Sequence, residues 1–336
     1  MSFHAGRKII YFMIETPAGQ YVGNAALFVA GNATVPFSGS KFSPEVDYQE
    51  RSPEGPSLQP IEGVKGTHKA KIAFQTALYT GGALGIAPSG LGTLFKACFC
   101  SEAVVASTSV TYASDPNSQV RLSIGYAILK EDGSAEVQHA ISGAAGSFKI
   151  KADGVGKLAV IDWEFEGAIA YEAGATLVAV DDATPQTTLA YADEVSNRVK
   201  FQALSAGTGL FAAGLNCGGF EFDRGAAHEL ETDITNLAGF NYSKFSGDKP
   251  TVSVAPVLVP VATRNYLSDL VSAGTTSNGF TLGSTAGKKV SFSWPKLQDT
   301  ALSDDARGVT KTWGVTASAV RTNTTAASDA FSITFA

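Results

Sequence analysis

Four histidines, three cysteines and scattered carboxylates are the groups in this 336-residue chain that could do chemistry. Their spacing argues against most of it. His4, His68, His139 and His228 are far apart in the sequence, and none stands at the Asp–His or Cys–His spacing that marks a triad. Cys98 and Cys100 form a lone C-x-C in an apolar segment, with no histidine or second cysteine pair at zinc spacing. Together with Cys217 they make an odd count, which reads as free thiols. Gly90-Leu91-Gly92 opens a predicted helix but lacks a third glycine, and no Gly-Lys-Ser/Thr occurs. Asp304-Asp305 beside Arg307 reads as a solvated turn, because the spaced ligands of a calcium loop are missing. The expectation is a protein with no catalytic, cofactor-binding or metal-binding residues.

Composition points to a different kind of work. With 44% apolar residues the chain has a core to bury, and its 35 glycines, 10% aromatics and only 17% charged residues fit an all-β protein with many turns. The net charge of −6 disfavours a protein that grips the phosphate backbone, but suits one that lets nucleic acid pass without sticking. Ile9 to Ile14 is too short for a signal-peptide core, and no run approaches the roughly 18 apolar residues of a membrane helix. Synthesis in the cytoplasm with no membrane partner is expected.

Period-2 alternation predicts the elements that must position any surface. In Lys157 to Glu166, Ala159, Ile161, Trp163 and Phe165 share one face, and Val160, Asp162, Glu164 and Glu166 the other. Arg198–Phe201, Phe220–Asp223 and Lys289–Trp294 alternate in the same way. Only two segments have helical periodicity. The first is Gly90–Phe99, with Leu91, Leu94, Phe95 and Cys98 in one stripe. The second is Ala262–Gly274, with Tyr266, Leu267, Leu270 and Val271 in the stripe, Thr263 as N-cap and Gly274 as stop.

The same series of elements occurs twice. An acidic strand (Glu45–Gln49, then Glu229–Ile234) is followed by a loop and an apolar strand (Lys71–Leu78, then Thr251–Leu258). The helix follows, then a strand (Ala145–Ile150, then Ala286–Phe292), and last a strand bearing one tryptophan, Trp163 or Trp313. Two tandem modules, 1–185 and 186–336, are therefore expected, divided near Ala183–Thr187. Glu45 and Asp47 oppose Val46 and Tyr48; Glu229, Glu231 and Asp233 oppose Leu230, Thr232 and Ile234. Adjacent like charges across a sheet weaken it slightly, and carboxylates facing a lumen would repel phosphate. The stretch Arg51 to His68, rich in proline and charge (Arg51, Glu54, Glu62, Lys65, His68), reads as a long loop that reaches a neighbour.

This order of elements resembles the tail tube proteins of long-tailed bacteriophages, in their two-module form. The resemblance is carried by Glu45 to Arg51 before the long loop, Gly63 to Ala70 leading into a strand, and Leu91 to Cys98 as the helix. Gly143 to Phe148 and Trp163 to Gly167 stand as closing strands, and Phe220 to Gly225 as the restart of the module. It implies an all-β fold of two tandem β-sandwich or barrel modules, each with one flanking helix. It further implies homotrimeric rings that stack into the hollow tail tube of the virion, with double-stranded DNA passing through without specific binding. By the same resemblance the partners are other copies of the chain, the tape measure protein, and the tail terminator and distal tail proteins. Other virion parts (a terminator, baseplate or capsid decoration protein), an outer-membrane porin and a carbohydrate-active sandwich enzyme are the competing readings.

Overall fold

The computed structural model describes residues 3–34, 36–51, 61–118, 120–131, 136–172, 176–182, 196–202, 206–212, 217–272, 274–322 and 329–336. Its first half runs β1 (Phe3–Ile14), α1 (Asn24–Leu27), β2 (Ala33–Thr34), β3 (Ser38–Arg51), β4 (Ile61–Ala77), α2 (Leu91–Ala97), β5 (Cys100–Val105), β6 (Ser109–Ser114), β7 (Leu122–Lys130), β8 (Glu136–Ala152), β9 (Val160–Ile169), β10 (Tyr171–Glu172), β11 (Thr176–Leu177) and β12 (Ala179–Asp182). The second half continues with β13 (Ala206–Thr208), β14 (Phe220–Asp223), β15 (Ala226–Thr232), β16 (Phe240–Asp248), β17 (Thr251–Val254), α3 (Tyr266–Val271), β18 (Thr275–Leu282), β19 (Val290–Arg307), β20 (Thr310–Ala319) and β21 (Ser332–Phe335). The fold is all-β, with short helices.

Two layers of antiparallel strands enclose the main core, and a smaller cluster around Tyr11, Leu27 and Phe28 lies apart from it. The first is a continuous ribbon in the order β3–β4–β9–β8–β14–β17–β20–β19. The second layer has two parts, β2–β1–β7–β8–β12 and β13–β18–β19–β21–β6–β5. The long strands β8 and β19 pass through both layers. Alternation sets the faces as expected: Ile161, Trp163 and Phe165 are buried, while Asp162 and Glu166 are half-buried and Glu164 is exposed. Phe220 and Phe222 of the ribbon meet Phe292 and Trp294 of the opposite layer at 5.3 and 5.5 Å between ring centroids. Lys289–Trp294 keeps its expected alternation inside β19. Arg198–Phe201 alternates in burial, but makes only isolated bridges, Arg198 to Tyr79 and Lys200 to Leu158.

The pairings recur in order. In the first half β1 pairs β7, β7 pairs β8, β8 pairs β12 and β9, β9 pairs β4, and β4 pairs β3. In the second half β13 pairs β18, β18 pairs β19, β19 pairs β21 and β20, β20 pairs β17, and β17 pairs β14. The bent strand β14–β15 stands where β3 stands, and β16–β17 where β4 stands. The hairpin β5–β6 has no counterpart in the second half, where only residues 272–274 separate α3 from β18. Residues 183–187, where a module boundary is expected, lie outside the described residues. The halves are sewn together by strand pairing: β14 against β8, and β21 against β6.

Three expectations are corrected here. Ile61 begins β4, so Glu62, Lys65 and His68 belong to a long β3–β4 hairpin and not to a loop; Glu54 lies outside the described residues, and Arg51 closes β3 opposite Ile61. Proline and glycine in this stretch look like loop signals, but antiparallel pairing with β3 satisfies its backbone. Helix α3 is capped by Asn265, whose Oδ1 accepts from Ser268 N at 3.0 Å, and not by Thr263; it ends at Val271, before Gly274. Its stripe is mostly uncovered: Tyr266 is buried, but Leu267 is 62% and Val271 75% exposed. In α2 the corresponding stripe is fully buried, because β5 and β6 fold over it.

Phe95 of α2 is the centre of that first-half core, with ring contacts to Tyr112, Phe148 and Trp163 at 5.0 to 5.2 Å. Phe95→Ala should lower the unfolding free energy by about 3–5 kcal/mol in denaturant titration. A loss below about 1 kcal/mol would mean that α2 is not packed against these strands.

Candidate self-assembly surfaces

Two arms extend from the ribbon. Arm 1 is the distal part of the β3–β4 hairpin (residues 44–51 and 61–68); arm 2 is the β15–β16 hairpin. They differ in what covers them. Arm 2 lies back on the first half of its own chain, against β8, β9 and β4. Arm 1 is exposed on both faces over residues 44–50.

Arm 2 is held by specific groups. Gly143, at a bulge in β8 with φ +62°, lets the backbone of Asn241 and Tyr242 approach; a Cβ there would collide with the Asn241 carbonyl. Phe99 follows α2 in the left-handed region (φ 58°), a conformation that costs a non-glycine residue roughly 1–2 kcal/mol. Its ring is buried against Phe245, 5.0 Å between centroids, and forms a small cluster with Ala145 and Ala226. His228 sits 6.3 Å from the same ring, and burial holds its pKa below the ordinary range. The Arg121 guanidinium lies 4.8 Å above Phe99 and donates to the Ser243 carbonyl. Burial brings the Arg121 pKa down to about 10. Below it, Glu15 accepts from Ser123 Oγ (2.8 Å), Gly143 N (2.7 Å) and Gly19 N (2.7 Å). At the far end, His68 N of arm 1 donates to the Ala238 carbonyl at 2.9 Å. A cavity of about 590 Å³ opens there, lined in part by Gly66, Thr67, Ile234 and Leu237.

The carboxylates proposed from alternation are distributed unevenly. Glu45 and Asp47 lie on exposed arm 1, and Glu45 pairs with Lys69 at 3.4 Å. Glu229 is exposed on arm 2, while Glu231 is bound by Lys244 at 2.6 Å. Asp233 is not on the strand: β15 ends at Thr232, and Asp233 accepts from Thr235 N and Oγ1 in the turn, which holds its carboxyl below the usual range. The ribbon's own outer face carries the more regular charge pattern, which alternation in β9 signalled but pairing had to complete. Lys69 meets Glu166 at 2.7 Å, Lys71 approaches Glu164 and Glu166, Lys151 meets Asp162 at 2.8 Å, and Lys149 meets Glu221 and Asp223 at 3.0 and 3.3 Å. Four lysines thus stand among six carboxylates, Glu45 included.

The ribbon ends in two open edges. No strand among the described residues pairs with the outer edge of β3, nor with the edge of β19 beyond Gln298. Searches against models of known protein families and against curated proteins find no match to this chain.

Burial is the main cause that raises the Glu15 pKa above its ordinary 4.5. A carboxyl raised in the folded state contributes stability that is complete below 4.5 and is lost as pH rises through the folded value. Glu15→Gln should therefore flatten the decline of the urea midpoint with rising pH that the parent protein shows over this window. Parallel profiles for parent and variant would mean that Glu15 titrates alike in the folded and unfolded chain.

Proposed function

We propose that this protein is a structural subunit that assembles into closed rings stacked as a hollow tube, the tail tube of a long-tailed bacteriophage. The observation that carries this reading is the β8–β14 junction. There the edge of one half pairs with the start of the same series of strands in the other half. β19 is the counterpart of β8, and β3 of β14, and both leave the corresponding edges open. A β19 edge from one copy and a β3 edge from the next can repeat the junction between chains. Such a head-to-tail contact is heterologous and closes when the rotation fits. Closure pairs the backbone groups that otherwise make an edge an aggregation hazard. With two series per chain, three chains give a ring of six similar units.

The register of that contact follows from the internal one. Phe42–Ile72 corresponds to Phe222–Val252, the last core pair before each arm, with Pro44 and Pro250 just beyond. Within the chain, Glu221 stands opposite Lys151, and Lys149 bridges Glu221 and Asp223. The equivalent positions between copies are Lys41 and Asp305, both exposed and of opposite sign. The ribbon's outer face would line the lumen, and its excess of carboxylates would keep a polyanion from adhering.

Negative-stain microscopy and light scattering of the purified protein at rising concentration should show trimeric rings and then stacked tubes. Persistent monomers would overturn the reading, and rings that never stack would favour a tail terminator. Lys41→Glu and Asp305→Lys should each raise the concentration needed to form rings, and the double swap should restore the parent value. Failure of the swap alongside intact single variants would move the contact away from these edges.

A further inference from the structure

The exposed apolar face of α3 and the uncovered side of arm 1 are two apolar surfaces that the ring contact leaves unexplained. On α3, Leu267 and Val271 stand in solvent although their stripe matches that of buried α2. On arm 1, Val46 is 45% and Tyr48 55% exposed, on the side of β3 opposite Glu45 and Asp47. We infer that these two surfaces bind each other between neighbouring copies: Val46 and Tyr48 of one chain seat on the Leu267–Val271 face of α3 in the next. The inference rests on the ring reading, and adds to it a second contact that the open edges do not require.

The template is inside the chain. With Phe42 aligned on Phe222, Val46 corresponds to Ala226 and Tyr48 to His228. Ala226 and His228 are the arm 2 residues that pack on Phe99, the residue two past the end of α2. Arm 2 reaches that spot because β14, from which it springs, is paired with β8. A β3 strand paired with a neighbour's β19 would place arm 1 at the C-terminal end of that neighbour's α3. The chemistry is matched to the position. Where arm 2 brings a small Ala226 to a large Phe99, arm 1 brings Val46 and an aromatic Tyr48 to a helix that ends in Val271 and Ser272.

The surroundings agree. The second half has no equivalent of β5–β6 to shield α3, so nothing among the described residues competes for the face. Beside it, the Tyr266 hydroxyl and Asp299 Oδ1 are buried without a hydrogen-bond partner among the described residues. Unpartnered buried polar atoms are uncommon in a finished protein interior. Association also supplies a reason for apolar residues to persist on a two-stranded arm, since such a hairpin gains little from exposing them.

The test uses cysteine pairs in the full chain, with Cys217→Ser as background. Tyr48→Cys combined with Val271→Cys, and Val46→Cys combined with Leu267→Cys, are oxidised under assembling conditions and run on non-reducing gels. The expected result is a shift of most of the chain to disulfide-linked dimers and trimers, reversed by reductant. A control that pairs Tyr48→Cys with Val155→Cys, at an exposed turn elsewhere, should stay monomeric on the gel. Mixing the single Tyr48→Cys and Val271→Cys chains should give a linked dimer, which only an inter-chain contact produces. Rings visible by microscopy with no cross-linking above the control would overturn this inference and leave the ring reading standing. Absence of both rings and cross-links would overturn the two together. Cross-links that form within one chain, leaving a faster-migrating monomer, would show that arm 1 folds back on its own α3 and would also refute it.

Discussion

The structure turns on one requirement: the backbone groups along the edge of a β-strand need partners. β8 meets it on both sides for most of its length, with β7 and then β14 on one edge, and β12 and then β9 on the other. β19 follows the same plan, with β18 on one edge, and β21 and then β20 on the other. It stops short where a β14 equivalent would stand. Among the described residues no strand lies against the outer edge of the ribbon at either side. Joining the halves through β8 and β14 also merges their cores, which explains why Phe148, Phe222 and Phe331 form one aromatic chain across both.

The same junction decides the fate of the arms. Arm 2 folds onto the first half because β14 delivers it there, and the first half is shaped to receive it. Gly143 removes a side chain from its path, Phe99 accepts a strained backbone to present its ring, and Arg121 caps a carbonyl of β16. Glu15 gathers three donors beneath this contact, and so fixes the bulge at Gly143 to the end of β1. Each of these residues is poor for local stability and makes sense only with the arm in place. Arm 1 springs from the edge strand β3 and meets its own chain only near its base, where His68 N donates to the Ala238 carbonyl, and residues 44–50 are left exposed.

Local features were legible in the sequence and non-local ones were not. The alternation of Ile161, Trp163 and Phe165 with Asp162, Glu164 and Glu166 is a property of one strand, and it predicts both faces of β9. The stripe of α2 is equally local. The identical argument fails for α3, because whether Leu267 and Val271 are buried depends on a hairpin, β5–β6, that exists only in the first half. Residues 61–68 read as part of a loop because the stretch from Arg51 is rich in proline and charge, yet in a paired hairpin Gly63 and Gly66 make room for Tyr48 and Asp47 across the strand. Asp233 continued the alternation of Glu229 and Glu231 on paper, but its carboxylate satisfies the amide of Thr235 and turns the chain instead. The two tryptophans share a strand in each half without sharing a site: Trp163 is buried, whereas Trp313 is half-exposed opposite Asp304.

Charge on the ribbon's outer face has two roles that pull in different directions. Ion pairs such as Lys69–Glu166 and Lys151–Asp162 cross from strand to strand and reinforce the register, though partly exposed pairs are worth at most about 1 kcal/mol each. Had the face been purely acidic, repulsion between neighbouring strands would have opposed the pairing on which the ribbon depends. Lysines interleaved with carboxylates remove that penalty locally. At physiological ionic strength, charges on the protein are felt over roughly 8 Å. Over that range each strand meets its immediate neighbours, which are opposite in sign. A face built this way holds itself together by attraction between neighbouring strands.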